Sequence, residues 1–211
     1  MNRNINKVAV LGSGVMGSRI ACLFAGIGVE VLLLDILPKD LPENASKSQR
    51  NKIVNDDLAT AVKSNPSPIY TKETLQRITT GNFEDDLAKI KNCDWVIEVI
   101  IERLDIKKQL FEKVDSLRKP GTLITSNTSG IPIHLLANGR SQDFKEHFCG
   151  AHFFNPPRYL RLLEIIPSPD TTKEVVDFLL HYGDLFLGKT TVHCKDTPAF
   201  IANRIGVFGI M

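Results

Sequence analysis

The fold of this chain is constrained most by a glycine-rich segment near its start, Gly12-Ser13-Gly14-Val15-Met16-Gly17. The segment follows the apolar run 8–11 and begins an apolar helical pattern over 15–27. A second apolar run then ends at Asp35, 18 residues after Gly17. A strand, a glycine loop, a helix and an acidic residue about 20 residues further on form a dinucleotide-binding fingerprint. The sequence therefore predicts a dinucleotide-binding βαβ unit.

Each glycine of the motif has a physical task in holding a dinucleotide. Gly12 permits the tight turn, Gly14 lets a pyrophosphate approach the backbone, and Gly17 allows the helix to pack closely on the strand. The free N–H groups and the positive dipole end of the helix favour the phosphates. The alternative is a structural glycine turn with Asp35 as a helix cap. The cofactor contacts predicted here are Gly12, Gly14, Val15, Met16, Gly17 and Asp35.

The acidic residue at the end of the second run indicates which dinucleotide binds. The Asp35 carboxylate is expected to accept hydrogen bonds from the adenosine ribose and to repel a 2′-phosphate. No Arg or Lys follows it directly, because the next residues are Ile36-Leu37-Pro38. We therefore predict NAD rather than NADP as the cofactor.

The rest of the chain alternates short apolar runs with amphipathic stretches. The runs 95–100, 122–125 and 150–154 have the near-continuous apolar content of strands buried on both faces. The amphipathic stretches 105–117 and 173–182 fit helices between and after them. This alternation predicts an α/β fold of the Rossmann type, with a doubly wound, mostly parallel sheet.

The stretch 38–80 interrupts this alternation. It is rich in Lys, Asn and Ser, contains the break Asn65-Pro66-Ser67-Pro68, and has no strand pattern. Two helical pieces, about 45–63 and 71–77, fit it better. Because the stretch is longer than an ordinary connection, we expect a helical insertion that leaves the sheet.

Composition and charge exclude several classes of protein. Hydrophobic residues make up 43% of the 211 residues and charged residues 24%, near the globular average, so a disordered or fibrous chain is excluded. The net charge of +2 gives no basis for a nucleic-acid partner. No apolar run approaches the roughly 18–20 residues of a membrane span. The four cysteines lack disulfide or zinc spacing, so we expect no metal site and a cytoplasmic protein with reduced thiols.

One histidine and one glutamate stand out as a candidate catalytic pair. His152 lies near the end of an apolar run, where the carboxyl ends of parallel strands line a ligand crevice. Glu164 lies inside the apolar run 162–166, and a buried carboxylate is costly unless it is paired. We expect Glu164 to orient the imidazole and raise its basicity. The alternative is a core pair that serves only the fold.

Several motifs together resemble one enzyme family. The glycine loop 12–17, the segments 126–130, 152–156 and 162–167, and the segment 195–204 resemble those of the L-3-hydroxyacyl-CoA dehydrogenases of fatty-acid β-oxidation. The resemblance runs from about residue 5 to the last residue. It implies an NAD-dependent oxidoreductase that converts (S)-3-hydroxyacyl-CoA to 3-ketoacyl-CoA.

The resemblance also implies roles for particular residues. His152 is the expected general base for the 3-hydroxyl proton, and Glu164 is its partner. Ser129 and Asn203 are expected to hydrogen-bond the reacting oxygen of the substrate. Residues near the nicotinamide end are expected to be Glu102, Lys107, Asn127 and Asn155.

Simpler interpretations of these residues stay open from the sequence. Asn127 and Ser129 fit turn and cap chemistry before a short helix. Glu102 and Lys107 fit a solvated pair at a helix start, and Asn203 fits an ordinary polar position in a helix. The sequence also departs from the family at Gly130, where a second serine is usual.

The resemblance has consequences for domain organisation. The run 35–38, the insertion and the segment 158–160 look most like long bacterial multifunctional β-oxidation proteins, which continue into a helical domain and an enoyl-CoA hydratase module. We therefore expect an NAD-binding Rossmann domain over 1–195 and, over 196–211, the first helix toward a C-terminal helical domain that this chain lacks. Because that domain commonly dimerises, we expect the apolar end to be a cut interface that is either exposed or covered by a second copy in a homodimer.

Two alternative functions remain open at this point. The first is a related NAD-dependent dehydrogenase acting on a free hydroxy acid, of the gulonate type. The second is a truncated NAD-binding module without turnover.

Overall fold

The computed structural model describes residues 3–210, which form an eight-stranded sheet covered on both faces. The order of strands across the sheet is β3-β2-β1-β4-β5-β6-β7-β8. Neighbouring strands are parallel except β6 and β7, which are antiparallel. The predicted doubly wound, mostly parallel α/β sheet is therefore confirmed. The strands are β1 (Lys7–Leu11), β2 (Glu30–Asp35), β3 (Ile78–Asn82), β4 (Trp95–Glu98), β5 (Leu123–Ser126), β6 (Phe148–Phe153), β7 (Leu162–Pro167) and β8 (Thr190–His193).

The helices predicted over 15–27, 105–117 and 173–182 are confirmed, with small shifts at their ends. No helix within the described residues is both long and apolar enough to cross a membrane. Residues 1, 2 and 211, the last of which ends the predicted terminal helix, lie outside the described residues. The α-helices are α1 (Val15–Gly26), α2 (Lys47–Arg50), α3 (Lys52–Lys63), α4 (Phe83–Asp86), α5 (Leu104–Leu117), α6 (Ile133–Ala137), α7 (Gln142–Glu146), α8 (Lys173–Leu185) and α9 (Ala202–Ile210).

The core has two layers because side chains of each central strand alternate between the faces of the sheet. On β1, Val8 and Val10 pack into one layer with apolar side chains of α1, α3 and α8. Ala9 and Leu11 pack into the other layer with side chains of α5, α6 and α7. All four are fully buried, which explains why the strand is a continuous apolar run.

The prediction that 38–80 contains no strand is wrong. Ile78–Asn82 forms β3, which pairs parallel with β2 from Val31 opposite Ile78 to Asp35 opposite Asn82. The segment therefore connects two neighbouring strands rather than leaving the sheet. β8, at the other edge, is a further strand that the pattern did not predict. Edge strands need only a partly apolar face, so runs rich in Thr lack the continuous apolar pattern of the central strands.

The insertion itself is helical, as predicted, but it is fixed to the body of the domain. It contains α2, α3 and a 3-10 helix over Lys72–Arg77. At its tip, the Arg158 guanidinium donates to the carbonyls of Ser67 (2.8 Å) and Ile69 (3.1 Å). The same guanidinium lies 3.4 Å from the ring centre of Tyr70, at cation–π distance. The insertion is thus joined to the loop that follows β6.

Aromatic rings pack against α1 in the core, and their contribution to stability can be tested. Phe24 is fully buried, 5.2 Å from the ring of Trp95, whereas Leu185 at the end of α8 is 67% exposed. Phe24→Ala should lower the free energy of unfolding by about 3–5 kcal/mol, because it leaves a cavity among close-packed rings. Leu185→Ala is the surface control and should change it by less than about 0.5 kcal/mol. Urea denaturation followed by circular dichroism measures both, and equal effects would contradict this assignment of the core.

Candidate active site

The glycine loop between β1 and α1 has the geometry that its spacing predicts. Gly12 has φ +105°, and a Cβ there would lie 2.7 Å from the carbonyl oxygen of Val99. A Cβ on Gly17 would lie 1.8 Å from the carbonyl oxygen of Gly12, so α1 and the loop pack too closely for any side chain. At Gly14, a Cβ would meet nothing within 4 Å. The backbone at Gly14, Val15 and Met16 therefore presents the start of α1 to open space.

A cavity of about 610 Å³ lies at this edge of the sheet. Its lining includes the loop glycines, the end of β2 and the residues that follow β4. β1 pairs with β2 on one side and with β4 on the other, so this is the point at which the strand order reverses. Ligands of open α/β sheets bind in the crevice at such a switch point.

Asp35 lies at the end of β2, next to the glycine loop. Its Oδ2 accepts hydrogen bonds from the Ser13 N–H (2.5 Å) and the Ser13 hydroxyl (2.6 Å), and its Oδ1 accepts one from the Ile36 N–H (2.7 Å). These donors hold the carboxylate in place in the lining of the cavity. A second carboxylate, that of Asp57 on α3, lies 2.9 Å from the same hydroxyl. The sequence analysis missed Asp57, since nothing in the pattern shows how α3 is placed relative to the loop.

His152 and Glu164 form the predicted pair. They lie directly opposite each other on the antiparallel strands β6 and β7, with 2.8 Å between Nδ1 and Oε2. Both are almost fully buried. The other carboxylate oxygen, Oε1, accepts hydrogen bonds from the N–H groups of Ile201 (3.0 Å) and Ala202 (2.8 Å) at the start of α9. Because the carboxylate can only accept, the neutral ring carries its proton on Nδ1 and leaves Nε2 as an acceptor.

The chain turns sharply before α9, and this turn directs the two N–H groups toward Glu164. Ala199 (φ 62°) and Phe200 (φ 49°) are both in the left-handed region, which costs about 1–3 kcal/mol for each residue without glycine's freedom. Phe200 is buried, and its ring centre lies 5.8 Å from that of His152. The buried ring and the two hydrogen bonds to Glu164 offset this backbone strain.

Ser129 lies at the free nitrogen of the histidine ring, and Asn203 contacts the backbone of Ser129. The Ser129 hydroxyl lies 3.2 Å from His152 Nε2. The Asn203 side-chain amide donates to the carbonyl of Ser129 at 3.4 Å. The structure thus brings together three side chains from β6, the loop after β5 and α9, although they are far apart in sequence.

Glu102 holds the turn that carries Ser129. Its Oε1 accepts hydrogen bonds from the Thr128 hydroxyl and from the N–H groups of Ser129 (2.9 Å) and Gly130 (3.1 Å). Partial burial alone would raise the pKa of the Glu102 carboxyl, but these donors and Lys107 hold it below its usual value. Glu102 is therefore a fixed anion beside Ser129.

Lys107 is not a solvated residue, so the alternative of an exposed helix-start pair with Glu102 is wrong. Its side chain is 1% exposed, and Nζ lies 2.6 Å from Oε1 of Glu98 and 3.4 Å from Oε2 of Glu102. Glu98, at the end of β4, is fully buried and also accepts hydrogen bonds from the Ser126 hydroxyl and the Ile100 N–H. The sequence analysis missed Glu98, although a carboxylate in the apolar run 95–100 is the same signal that pointed to Glu164.

The two remaining predicted residues differ in their surroundings. The Asn127 side-chain oxygen accepts a hydrogen bond from the Phe153 N–H (2.8 Å), which ties the end of β5 to the end of β6. Asn155 is exposed just beyond β6. Both lie at the carboxyl edge of the sheet, Asn127 after β5, between the glycine loop and His152 in strand order, and Asn155 after β6, the strand that carries His152.

Comparison with known proteins agrees with this arrangement. The family model described as the NAD-binding domain of 3-hydroxyacyl-CoA dehydrogenase matches residues 7–197. The chain belongs to this family.

Three relatives illustrate the similarity. A Bacillus subtilis protein named as a 3-hydroxyacyl-CoA dehydrogenase is 48% identical over all of this chain, and a Rickettsia felis protein named as a fatty acid oxidation complex trifunctional enzyme is 44% identical over 99% of it. A crystal structure of 3-hydroxybutyryl-CoA dehydrogenase from Escherichia coli matches 97% of the chain with a TM-score of 0.76 and 34% identity. The chain spans 28% of the length of the Bacillus and Rickettsia proteins and 41% of the Escherichia coli chain.

The cofactor of the family is NAD, and the described residues fit it. The open space at Gly14 leaves room for a pyrophosphate, which the free N–H groups at the start of α1 favour. Asp35 lines the same cavity, and its carboxylate oxygens would be acceptors for ribose hydroxyls. No side chain of the glycine loop obstructs this approach.

The buried pair of Lys107 and Glu98 gives a pH-dependent prediction. Burial raises the pKa of the Glu98 carboxyl, and Lys107 is the largest of the influences that lower it. Lys107→Met should raise this pKa further. A carboxyl with a raised folded-state pKa loses stability as pH rises from its unfolded value through the folded one. The variant should therefore be close to the parent near pH 5 and lose about 3–5 kcal/mol near pH 8.

Urea denaturation at several pH values measures this loss. Lys113→Met, on the exposed side of the same helix α5, is the matched control and should show no such trend. A Lys107→Met deficit that is constant from pH 5 to pH 8 would argue against an ionised Glu98.

Proposed function

We propose that this chain is the NAD-binding and catalytic part of an enzyme that oxidises (S)-3-hydroxyacyl-CoA to 3-ketoacyl-CoA in fatty-acid β-oxidation. The observation that carries the proposal is the geometry of His152. One ring nitrogen is bound by Glu164, and the other lies beside the Ser129 hydroxyl as an acceptor. This acceptor lies at the same edge of the sheet as the glycine loop, so a proton acceptor and a dinucleotide site share one crevice.

The proposed chemistry divides between cofactor and protein. NAD supplies the hydride acceptor for C3 of the substrate when it is bound. His152 Nε2 takes the proton of the 3-hydroxyl group, which would lie where it can also reach the Ser129 hydroxyl. Glu164 stabilises the imidazolium that forms, because its Oε2 accepts from Nδ1 at 2.8 Å in a buried setting.

Ser129 and Asn203 are proposed to bind the reacting oxygen of the substrate. The Ser129 hydroxyl is positioned by its neighbour Glu102, which accepts from the Ser129 N–H and the Gly130 N–H. Asn203 lies on the first turn of α9, and its amide already reaches the Ser129 carbonyl. Donors held in place before the reaction stabilise developing charge without reorganisation.

Glu102, Lys107, Asn127 and Asn155 are proposed to form the nicotinamide end of the site. Their support is that they follow β4, β5 and β6 at the carboxyl edge of the sheet, the edge that also carries the glycine loop and His152. In this proposal, Lys107 acts with Glu98 and Glu102 as a fixed set of charges, since its Nζ contacts both carboxylates.

The proposal extends to partners and location. The domain is taken as 1–195 and the helix that follows as 196–211, because β8 ends at His193 and α9 begins at Ala202. We propose that the exposed apolar side chains of α9 are covered in the working enzyme, by a helical domain or a second copy, and that an enoyl-CoA hydratase module acts with this domain.

A cytoplasmic location is supported by four free, buried cysteines, which suit a reducing compartment.

His152 provides the direct test. His152→Ala should lower turnover about 10²–10⁴-fold and leave NAD binding nearly unchanged, because the ring is a proton acceptor and not a cofactor anchor. Turnover is measured as NADH oxidation with acetoacetyl-CoA, in the protein as its gene encodes it. His181→Ala, an exposed histidine of α8, is the matched control.

The substrate class is tested in the same assay. Acetoacetyl-CoA should be reduced at least about 100-fold faster than a free keto acid, whereas the reverse preference would favour a free hydroxy-acid dehydrogenase. Unchanged turnover in His152→Ala would exclude this histidine as the base.

A further inference from the structure

The insertion contributes a charged side chain to the cofactor cavity that the glycine-loop motif does not include. Asp57, on α3, lines the same cavity as Gly12, Gly14 and Asp35. Its Oδ2 lies 2.9 Å from the Ser13 hydroxyl oxygen, and Ser13 is fully buried. Its neighbour in sequence, Asp56, is instead exposed and pairs with Lys52 on the surface of α3. Asp57 is therefore turned toward the cavity by the same helix that turns Asp56 toward solvent.

Ser13 brings two carboxylates close together. Its hydroxyl oxygen lies 2.6 Å from Asp35 Oδ2 and 2.9 Å from Asp57 Oδ2. A hydroxyl carries only one proton, so it can donate to only one of the two carboxylates at a time. The other carboxylate is then left without this hydrogen bond, and both residues line the cavity. The carboxylates of Asp35 and Asp57 are therefore both at hydrogen-bond distance from one hydroxyl. They place two negative charges close together where Asp35 is expected to bind the ribose.

The other charged side chains of the cavity do not neutralise this pair. The charged residues in its lining are Asp35, Asp57, Glu84 and Lys113. Three acids therefore face one base, and Lys113 is exposed on α5. The negative electrostatic potential in this part of the cavity disfavours an additional phosphate group but does not disfavour neutral hydroxyls.

We propose that Asp57 is a second specificity-determining residue, which acts with Asp35 to reject a dinucleotide that carries a 2′-phosphate. The proposal rests on the proposed function only in placing the adenosine ribose at Asp35. It gives the insertion a role in choosing the cofactor, because α3 brings a carboxylate to the ribose end of the site. It also means that neutralising Asp35 alone leaves a charge that still opposes the 2′-phosphate.

The test compares the binding of NADH and NADPH by titration calorimetry or by cofactor fluorescence, without turnover. Asp57→Asn keeps the size of the side chain and an acceptor for Ser13 but removes the charge. We expect it to raise the affinity for NADPH relative to NADH by about 10-fold, as an order-of-magnitude value for losing one nearby repulsion. Asp56→Asn, on the adjacent exposed position, should leave the ratio within about twofold of the parent.

Two further variants separate charge from packing and coupling. Asp57→Glu retains the charge, and its NADPH to NADH ratio should remain near that of the parent. Asp35→Asn combined with Asp57→Asn should accept NADPH about 10-fold better than Asp35→Asn alone. Circular dichroism verifies that each variant is folded, and Asp57→Ser replaces Asp57→Asn in the comparison if the latter is not.

The outcomes distinguish this proposal from the proposed function. A parent protein that binds NADH, together with an Asp57→Asn variant whose ratio equals that of Asp56→Asn, overturns the role of Asp57 alone. An equal shift in Asp57→Glu also overturns it, because the effect would then come from shape. A folded parent that binds neither cofactor overturns the proposed function as well.

Discussion

The site depends above all on the buried carboxylate of Glu164. A charge removed from water is costly unless all of its acceptors are used. Glu164 satisfies this condition with the ring N–H of His152 on one oxygen and two backbone N–H groups of the α9 start on the other. These bonds join β6, β7 and α9, and they also leave His152 Nε2 as the acceptor. The same contacts that make the buried charge tolerable therefore also fix the orientation of the His152 ring.

A second buried carboxylate organises the neighbouring strand ends in a similar way. Glu98 accepts from Lys107, the Ser126 hydroxyl and the Ile100 N–H, so it links β4, β5 and α5. Lys107 in turn contacts Glu102, which holds the turn of Ser129. Ser129, whose hydroxyl lies beside His152, is thus supported by a chain of charge-assisted hydrogen bonds from the core. Sites built on such rigid elements are more precise than sites on free loops.

Local patterns were sufficient for the central sheet and for much of the site. The glycine loop, Asp35 and the pairing of His152 with Glu164 were predictable because each combines a burial signal with a short-range chemical requirement. β3 and β8 were missed because edge strands need less apolar character than central ones. Glu98, like Glu164, is a carboxylate inside an apolar run, which is a sequence signal for a buried, paired acid. Asp57 had no signal, since its role depends on how α3 packs against the loop.

The sequence by itself determined the α/β class, the dinucleotide loop and the histidine–glutamate pair. Each of these follows from hydrophobic periodicity or from the cost of leaving a polar group unpaired, and both are visible in a single chain. Only the tertiary structure decided that Lys107 is buried between two carboxylates and that the insertion brings Asp57 to the cavity. It also decided that backbone N–H groups at the start of α9 donate to the Glu164 carboxylate. These contacts join residues distant in sequence, so they depend on the packing of whole elements, which no local pattern encodes.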